Sequence, residues 1–98
     1  MIKRIVKMTF LPEEVDNFLA DFETIKNKIR NRDGCQHLEL WRAVAGSNIF
    51  FTYSYWDSEE ALNAYRHSDL FKVVWQRTKA KFAEKAQAWS VEVVAEVE

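Results

Sequence analysis

The chain has 98 residues, 14 Lys and Arg against 15 Asp and Glu, a net charge of −1 and a single cysteine. That is one domain's worth of chain, residues 1–98, without the basic excess that nucleic-acid binding needs. A lone Cys35 excludes an intramolecular disulfide and a cysteine-rich zinc site.

Ile2 to Phe10 predicts a strand, with Ile2, Val6, Met8 and Phe10 on one parity and Lys3, Lys7 and Thr9 on the other. Arg4 interrupts the apolar set. Pro12 suits the first turn of a helix, where its missing N–H is not needed, and Glu13, Glu14 and Asp16 favour that helix's positive end. Val15, Phe18, Leu19, Phe22, Ile25 and Ile29 then recur at helical spacing as one apolar stripe. Asn31-Arg32-Asp33-Gly34 ends the helix, with Gly34 as the left-handed cap.

Cys35 to Val44 and Asn48 to Trp56 predict two strands joined by the hairpin turn Ala45-Gly46-Ser47. The second carries bulk on both parities, which predicts burial on both faces. Asp57 is placed to cap the next helix, with Glu60 reaching back to it and Ala61, Leu62 and Tyr65 facing inward. Ser68 caps a further segment whose inner residues are Leu70, Phe71, Val74, Trp75, Thr78 and Phe82. Ala88 to Val97 predicts the last strand, with Trp89, Val91, Val93, Ala95 and Val97 on one face and Glu92 and Glu96 on the other.

The order is β-α-β-β-α-β with the second helix broken in two. It predicts an α+β, ferredoxin-like sandwich: a four-stranded antiparallel sheet with its helices on one face. The other sheet face would be bare in a monomer. Four Trp, three Tyr and seven Phe are more large apolar surface than so short a chain covers alone. A homodimer packed sheet to sheet, or a ligand, is expected to cover it. No stretch reads as a signal peptide or a membrane span, so no membrane partner is expected and a reducing cytoplasm is the expected location.

The run Phe51-Thr52-Tyr53-Ser54-Tyr55-Trp56-Asp57-Ser58-Glu59-Glu60-Ala61-Leu62, followed by Ala64-Tyr65, Ser68 and Phe71, resembles the signature of antibiotic biosynthesis monooxygenase domains. Asp33-Gly34-Cys35 before a strand is similar to that family's "pGc" turn. The resemblance covers nearly the whole chain. It implies the dimeric α+β barrel and, for activity, a cofactor-independent monooxygenase acting on a small aromatic or quinol-type substrate. The fold also serves quinol oxygenases, haem-degrading enzymes, isomerases and proteins without known activity. Many members carry a histidine on the second helix where this chain has Tyr65. The Asn-Trp-His set of the haem-degrading branch is not recognisable, since the first strand has no Asn.

Such oxygenases need an apolar aromatic pocket, a proton acceptor, and a donor or cation near the reduced oxygen. The chain shows no nucleotide-binding glycine loop and no metal-ligand cluster, so no cofactor is expected. His37 shares a parity with Cys35, Glu39 and Trp41; it reads either as a general base or as a half-buried strand histidine. His67 lies in the helix break, where it is the other candidate base at a pocket mouth or else caps a surface turn. Arg4 either holds an anionic substrate or oxygen intermediate, or pairs with Glu39 or a late glutamate. Tyr65 is a hydrogen-bond donor at the family's histidine position. Trp41, Tyr53, Tyr55, Trp56 and Trp75 are candidates to bind the substrate, and equally candidates for core and interface. Cys35 reads as a small buried thiol. Two other readings stay open: a non-catalytic binding or stress-response dimer, and a haem-handling protein with His67 as ligand.

Overall fold

A computed structural model describes residues 1–98. β1 (Ile2–Phe10) is followed by a 3-10 turn at Pro12–Glu14 and by α1 (Val15–Arg30). The hairpin of β2 (Cys35–Arg42) and β3 (Ile49–Trp56) comes next, then α2 (Glu59–Arg66), α3 (Asp69–Lys79) and β4 (Phe82–Val91). The strands form one antiparallel sheet in the order β2-β3-β1-β4. This is the ferredoxin-like α+β arrangement that the element order predicts.

The helices cover the face that carries Ile2, Arg4, Val6, Met8 and Phe10 of β1. Two clusters hold them there. Phe10, Phe18 and Phe50 meet with Met8 and Val15, and Phe10 stacks on Phe18 with ring centroids 4.2 Å apart. At the other end Trp56 packs with Cys35 and Leu62, and its indole N–H donates to Ser54 Oγ at 3.0 Å. An aromatic N–H taken out of water needs such an acceptor, and a serine two residues back on the same strand face supplies it.

Local chemistry explains where the elements stop. Gly34 adopts φ +83°, the left-handed turn that ends the α1–β2 connection. Its carbonyl accepts from Asp57 N–H at 2.8 Å, which keeps Asp57 tied to the sheet. The cap of α2 therefore falls one residue later than expected: Ser58 Oγ accepts from Ala61 N–H at 3.1 Å. Ser68 caps α3 as expected, accepting from Phe71 N–H at 3.1 Å.

β2 ends at Arg42, short of Val44, because Ala45 and Gly46 both take positive φ. Arg42 donates to the carbonyls of Ser47 and Gly46 and closes that loop. The last strand differs most from expectation. β4 runs Phe82–Val91 rather than 88–97, and Val93, Val94 and Val97 lie exposed beyond it. Phe82 is its first residue and not the end of α3, although its ring still reaches the core at 5.3 Å from Phe10. The inward positions of β4 are Ala86, Ala88 and Ser90, too small to print an apolar alternation. Pairing with β1 therefore set the register. β3 is buried chiefly on one face: Phe50, Ser54 and Trp56 are buried and Thr52 between them is half-covered, as are Phe51, Tyr53 and Tyr55 on the other face.

Candidate active site

Side-chain size along the sheet opens a cavity between the two clusters. On the helix-facing side one row reads Leu38–Ser54–Arg4–Ser90 across β2, β3, β1 and β4, and the next reads Leu40–Thr52–Val6–Ala88. Small residues stand mid-sheet where large ones would meet the helices. The space left is about 290 Å³. That is near the lower end of the roughly 300–1,000 Å³ of small-molecule sites. Phe18, Phe22, Ile25 and Ile29 of α1 roof it on one side, and Phe71, Val74, Trp75 and Thr78 of α3 on the other. These are the apolar stripes that helical spacing predicts.

The polar groups in this cavity are few. Tyr65 stacks on Trp56 with centroids 5.1 Å apart and planes 18° apart, and meets the edge of Phe71 at 5.3 Å. Burial first, and then the nearby Cys35 thiol, push the Tyr65 phenol up to about 12. At neutral pH it is a hydrogen-bond donor. Arg4 lies half-buried on the floor and donates to Ser90 Oγ at 3.1 Å. Its pKa is lowered by burial and then by the charge of Arg66. Arg66, on the last turn of α2, is exposed at the rim. No Asp, Glu, Lys or His lines the cavity.

The Tyr65 shift carries a stability consequence. The unfolded phenol ionises near its ordinary 10.0, while the folded one resists to about 12. Its stabilisation is therefore whole below pH 10 and lost as pH rises through 12. A two-unit shift corresponds to on the order of 2–3 kcal/mol. Urea unfolding at pH 9 and pH 11 should show a steeper alkaline loss for the native chain than for Tyr65→Phe. Parallel losses in the two would show that Tyr65 ionises freely in the fold.

Of the residues singled out in the sequence, the cavity brings together Arg4, Trp56, Tyr65 and Trp75. His37, Trp41, Tyr53 and Tyr55 lie on the opposite sheet face. There His37 and Trp41 both bond Glu39, Trp41 stacks on Tyr53 at 4.6 Å, and Tyr53 donates to Tyr55 at 2.7 Å. The ammonium of Lys3 donates to Tyr55 at 3.2 Å, and the two hydroxyls raise its pKa. The bonds from Trp41 and His37 hold the Glu39 carboxyl below its usual range. His67 is exposed between α2 and α3, its Nδ1 bonded to the Asn63 carbonyl at 2.7 Å. Buried Cys35 has its thiol pushed up by burial.

Sequence reasoning missed Arg66 and the small floor residues Thr52, Ser54, Ala86 and Ala88. Arg66 had a signal: it stands four residues after Leu62 and one after Tyr65, at the border of the inward side of α2. The floor residues had none, because small side chains mark a cavity only once the register aligns them.

The family model described as antibiotic biosynthesis monooxygenase matches residues 1–77. No curated protein matches the chain significantly in sequence. Among solved structures, one described as an antibiotic biosynthesis monooxygenase superposes with a TM-score of 0.89 at 19% identity, covering 97% of this chain and 100% of that one. A conserved protein from Methanosarcina mazei Go1 gives 0.86 at 18% identity, over 92% and 89% of the two chains. Rv0793 from Mycobacterium tuberculosis gives 0.87 at 15% identity, over 99% and 98%. At these identities the superpositions establish the fold.

Proposed function

The chain belongs to the antibiotic biosynthesis monooxygenase family, and from that premise we propose that its cavity binds and oxygenates a small aromatic or quinol-type molecule without a cofactor. The observation that carries this reading is the cavity itself: an aromatic-walled space whose polar groups include a phenol that stays protonated and two guanidinium groups. In such chemistry a phenol or hydroquinone gives its proton to water at the cavity mouth, since no lining residue is a base, and its anion passes one electron to oxygen. Catalysis then consists of stabilising the anion and the reduced oxygen with preset donors. Tyr65 is the neutral donor and Arg4 the cation, with Trp56 and Trp75 against the ring.

The test is oxygen uptake with a panel of hydroquinones. Ala88→Leu fills the floor beside Val6 and should abolish uptake while leaving the fold intact. Tyr65→Phe should lower kcat by about 100- to 1,000-fold, the range for loss of one donor to a developing oxyanion. A His37→Ala/His67→Ala double variant asks whether either histidine acts as base from outside the cavity. Its normal turnover would remove both from the mechanism, and uptake unaffected by Ala88→Leu would remove the cavity.

The absence of a carboxylate, lysine or histidine from the lining favours a second reading, a non-catalytic binding module. It gives ligand-dependent thermal stabilisation with no oxygen consumed.

The open sheet face supports a homodimer. Ile5, Phe51, Tyr53, Trp41, Trp89 and Val91 stand on it, and Trp41 and Trp89 are 39% and 46% exposed. We propose that a second copy covers this face. Sedimentation at micromolar concentration should give a dimer, and Trp89→Lys, which places a charge on this face beside Ile5, should give a monomer. A native monomer would refute the pairing.

A further inference from the structure

We propose that the cavity selects an aromatic acid, a small ring system whose carboxylate is held by Arg4 and Arg66 while the ring lies against Trp56 and Trp75. The inference rests on the reading of this cavity as the ligand site and adds the charge of the ligand.

The argument begins with unmatched charge. Arg4 and Arg66 are the only charged residues lining the cavity. Neither belongs to any of the four ion pairs of the chain, which join Lys26, His37, Arg77 and Lys81 to acidic partners. Arg4 donates to one neutral acceptor, Ser90, and a guanidinium has five N–H donors to place. A half-buried cation on an apolar floor is ordinarily paired. Here the charge that acts on it is a second cation, Arg66, whose repulsion adds to burial in lowering the Arg4 pKa. A planar oxyanion at this spot relieves both and matches the guanidinium fork in shape.

The lining also decides which anion. No residue in the cavity accepts a proton at neutral pH, since Tyr65 keeps its own to about 12. A ligand bound as an anion must therefore arrive ionised. An aromatic carboxylic acid does so at pH 7, with a pKa like that of other carboxyls at about 4; an ordinary phenol, near 10, does not. With the carboxylate at Arg4 and Arg66, the apolar walls from α1 and α3 are left to the ring.

The experiment is calorimetry on the full chain at pH 7 with 2-naphthoate and with 2-naphthamide, a neutral molecule of the same shape. The carboxylate should bind about tenfold to hundredfold more tightly, the range for a charged hydrogen bond. Arg4→Met should bring the two ligands within about threefold of each other, and Arg66→Gln should reduce the preference in part. Arg4→Lys, which keeps the charge, should retain most of it and serves if Arg4→Met does not fold. Equal affinity for the two ligands in the native chain would overturn the inference while leaving the cavity as the aromatic site. No binding of either, or binding that survives Ala88→Leu, would overturn the inference and the site together.

Discussion

Gly34→Ala should lower the melting temperature of this domain by about eight degrees or more. Two effects add. Gly34 sits at φ +83°, where a side chain costs about 1–2 kcal/mol. A Cβ built there also lies 2.5 Å from Ala61 Cβ of α2, a separation that forces backbone to move. Overpacking of that kind costs about 1–3 kcal/mol more. The total is about 2–5 kcal/mol, and in a domain this size each kcal/mol shifts the midpoint by about 4–8 °C. Gly46→Ala is the internal control. It has the same backbone problem at φ +66° but nothing within 4 Å of the new Cβ, so it should lose only the conformational part. Circular-dichroism melts of the two variants separate strain from clash. Equal losses would mean that α2 moves aside freely. If α2 does shift, Tyr65 and Arg66 shift with it, so Gly34→Ala should also weaken whatever the cavity binds.

Phe10→Ala should destabilise by about 3–5 kcal/mol, the range for deleting a buried aromatic ring. Phe10 has no exposed surface and touches the rings of Phe18, Phe50 and Phe82, so one deletion opens a void that β1, α1, β3 and β4 share. Neighbours on four elements cannot all relax inward together, which places the loss toward the upper end of the range. A domain holds roughly 5–15 kcal/mol in total, so the variant should be folded but marginal. Urea unfolding with an unchanged m-value would show a clean loss of stability. Phe10 does not line the cavity, so any folded fraction should bind ligand with native affinity. A loss under 1 kcal/mol would show that the aromatic cluster repacks around the void.

Much of the fold was legible residue by residue. The β1 alternation, the α1 stripe from Val15 to Ile29, the Ser68 cap and the Gly34 turn are short-range chemistry, and each signal sits within a few residues of what it specifies. Arg4 was legible as an anomaly, because a charged residue breaks an otherwise apolar parity. Tyr65 and Trp75 were legible as inward-facing through helical spacing.

The remainder depended on partners distant in the chain. β4 was misplaced because Ala86, Ala88 and Ser90 carry no hydrophobic period, and only the ladder with β1 fixes where they fall. The same small residues create the cavity, which exists because Thr52, Ser54, Ala86 and Ala88 align on one face across β3 and β4. Which parity of β2 and β3 faces the helices was likewise open in the sequence, since β3 is bulky on both. The tertiary structure placed Trp56 in the cavity and Trp41, Tyr53 and Tyr55 on the far side of the sheet. The sequence by itself thus determined the elements, their order and the oddity of Arg4. The tertiary structure decided the register, and with it the one place where apolar walls, Tyr65 and two unpaired arginines come together.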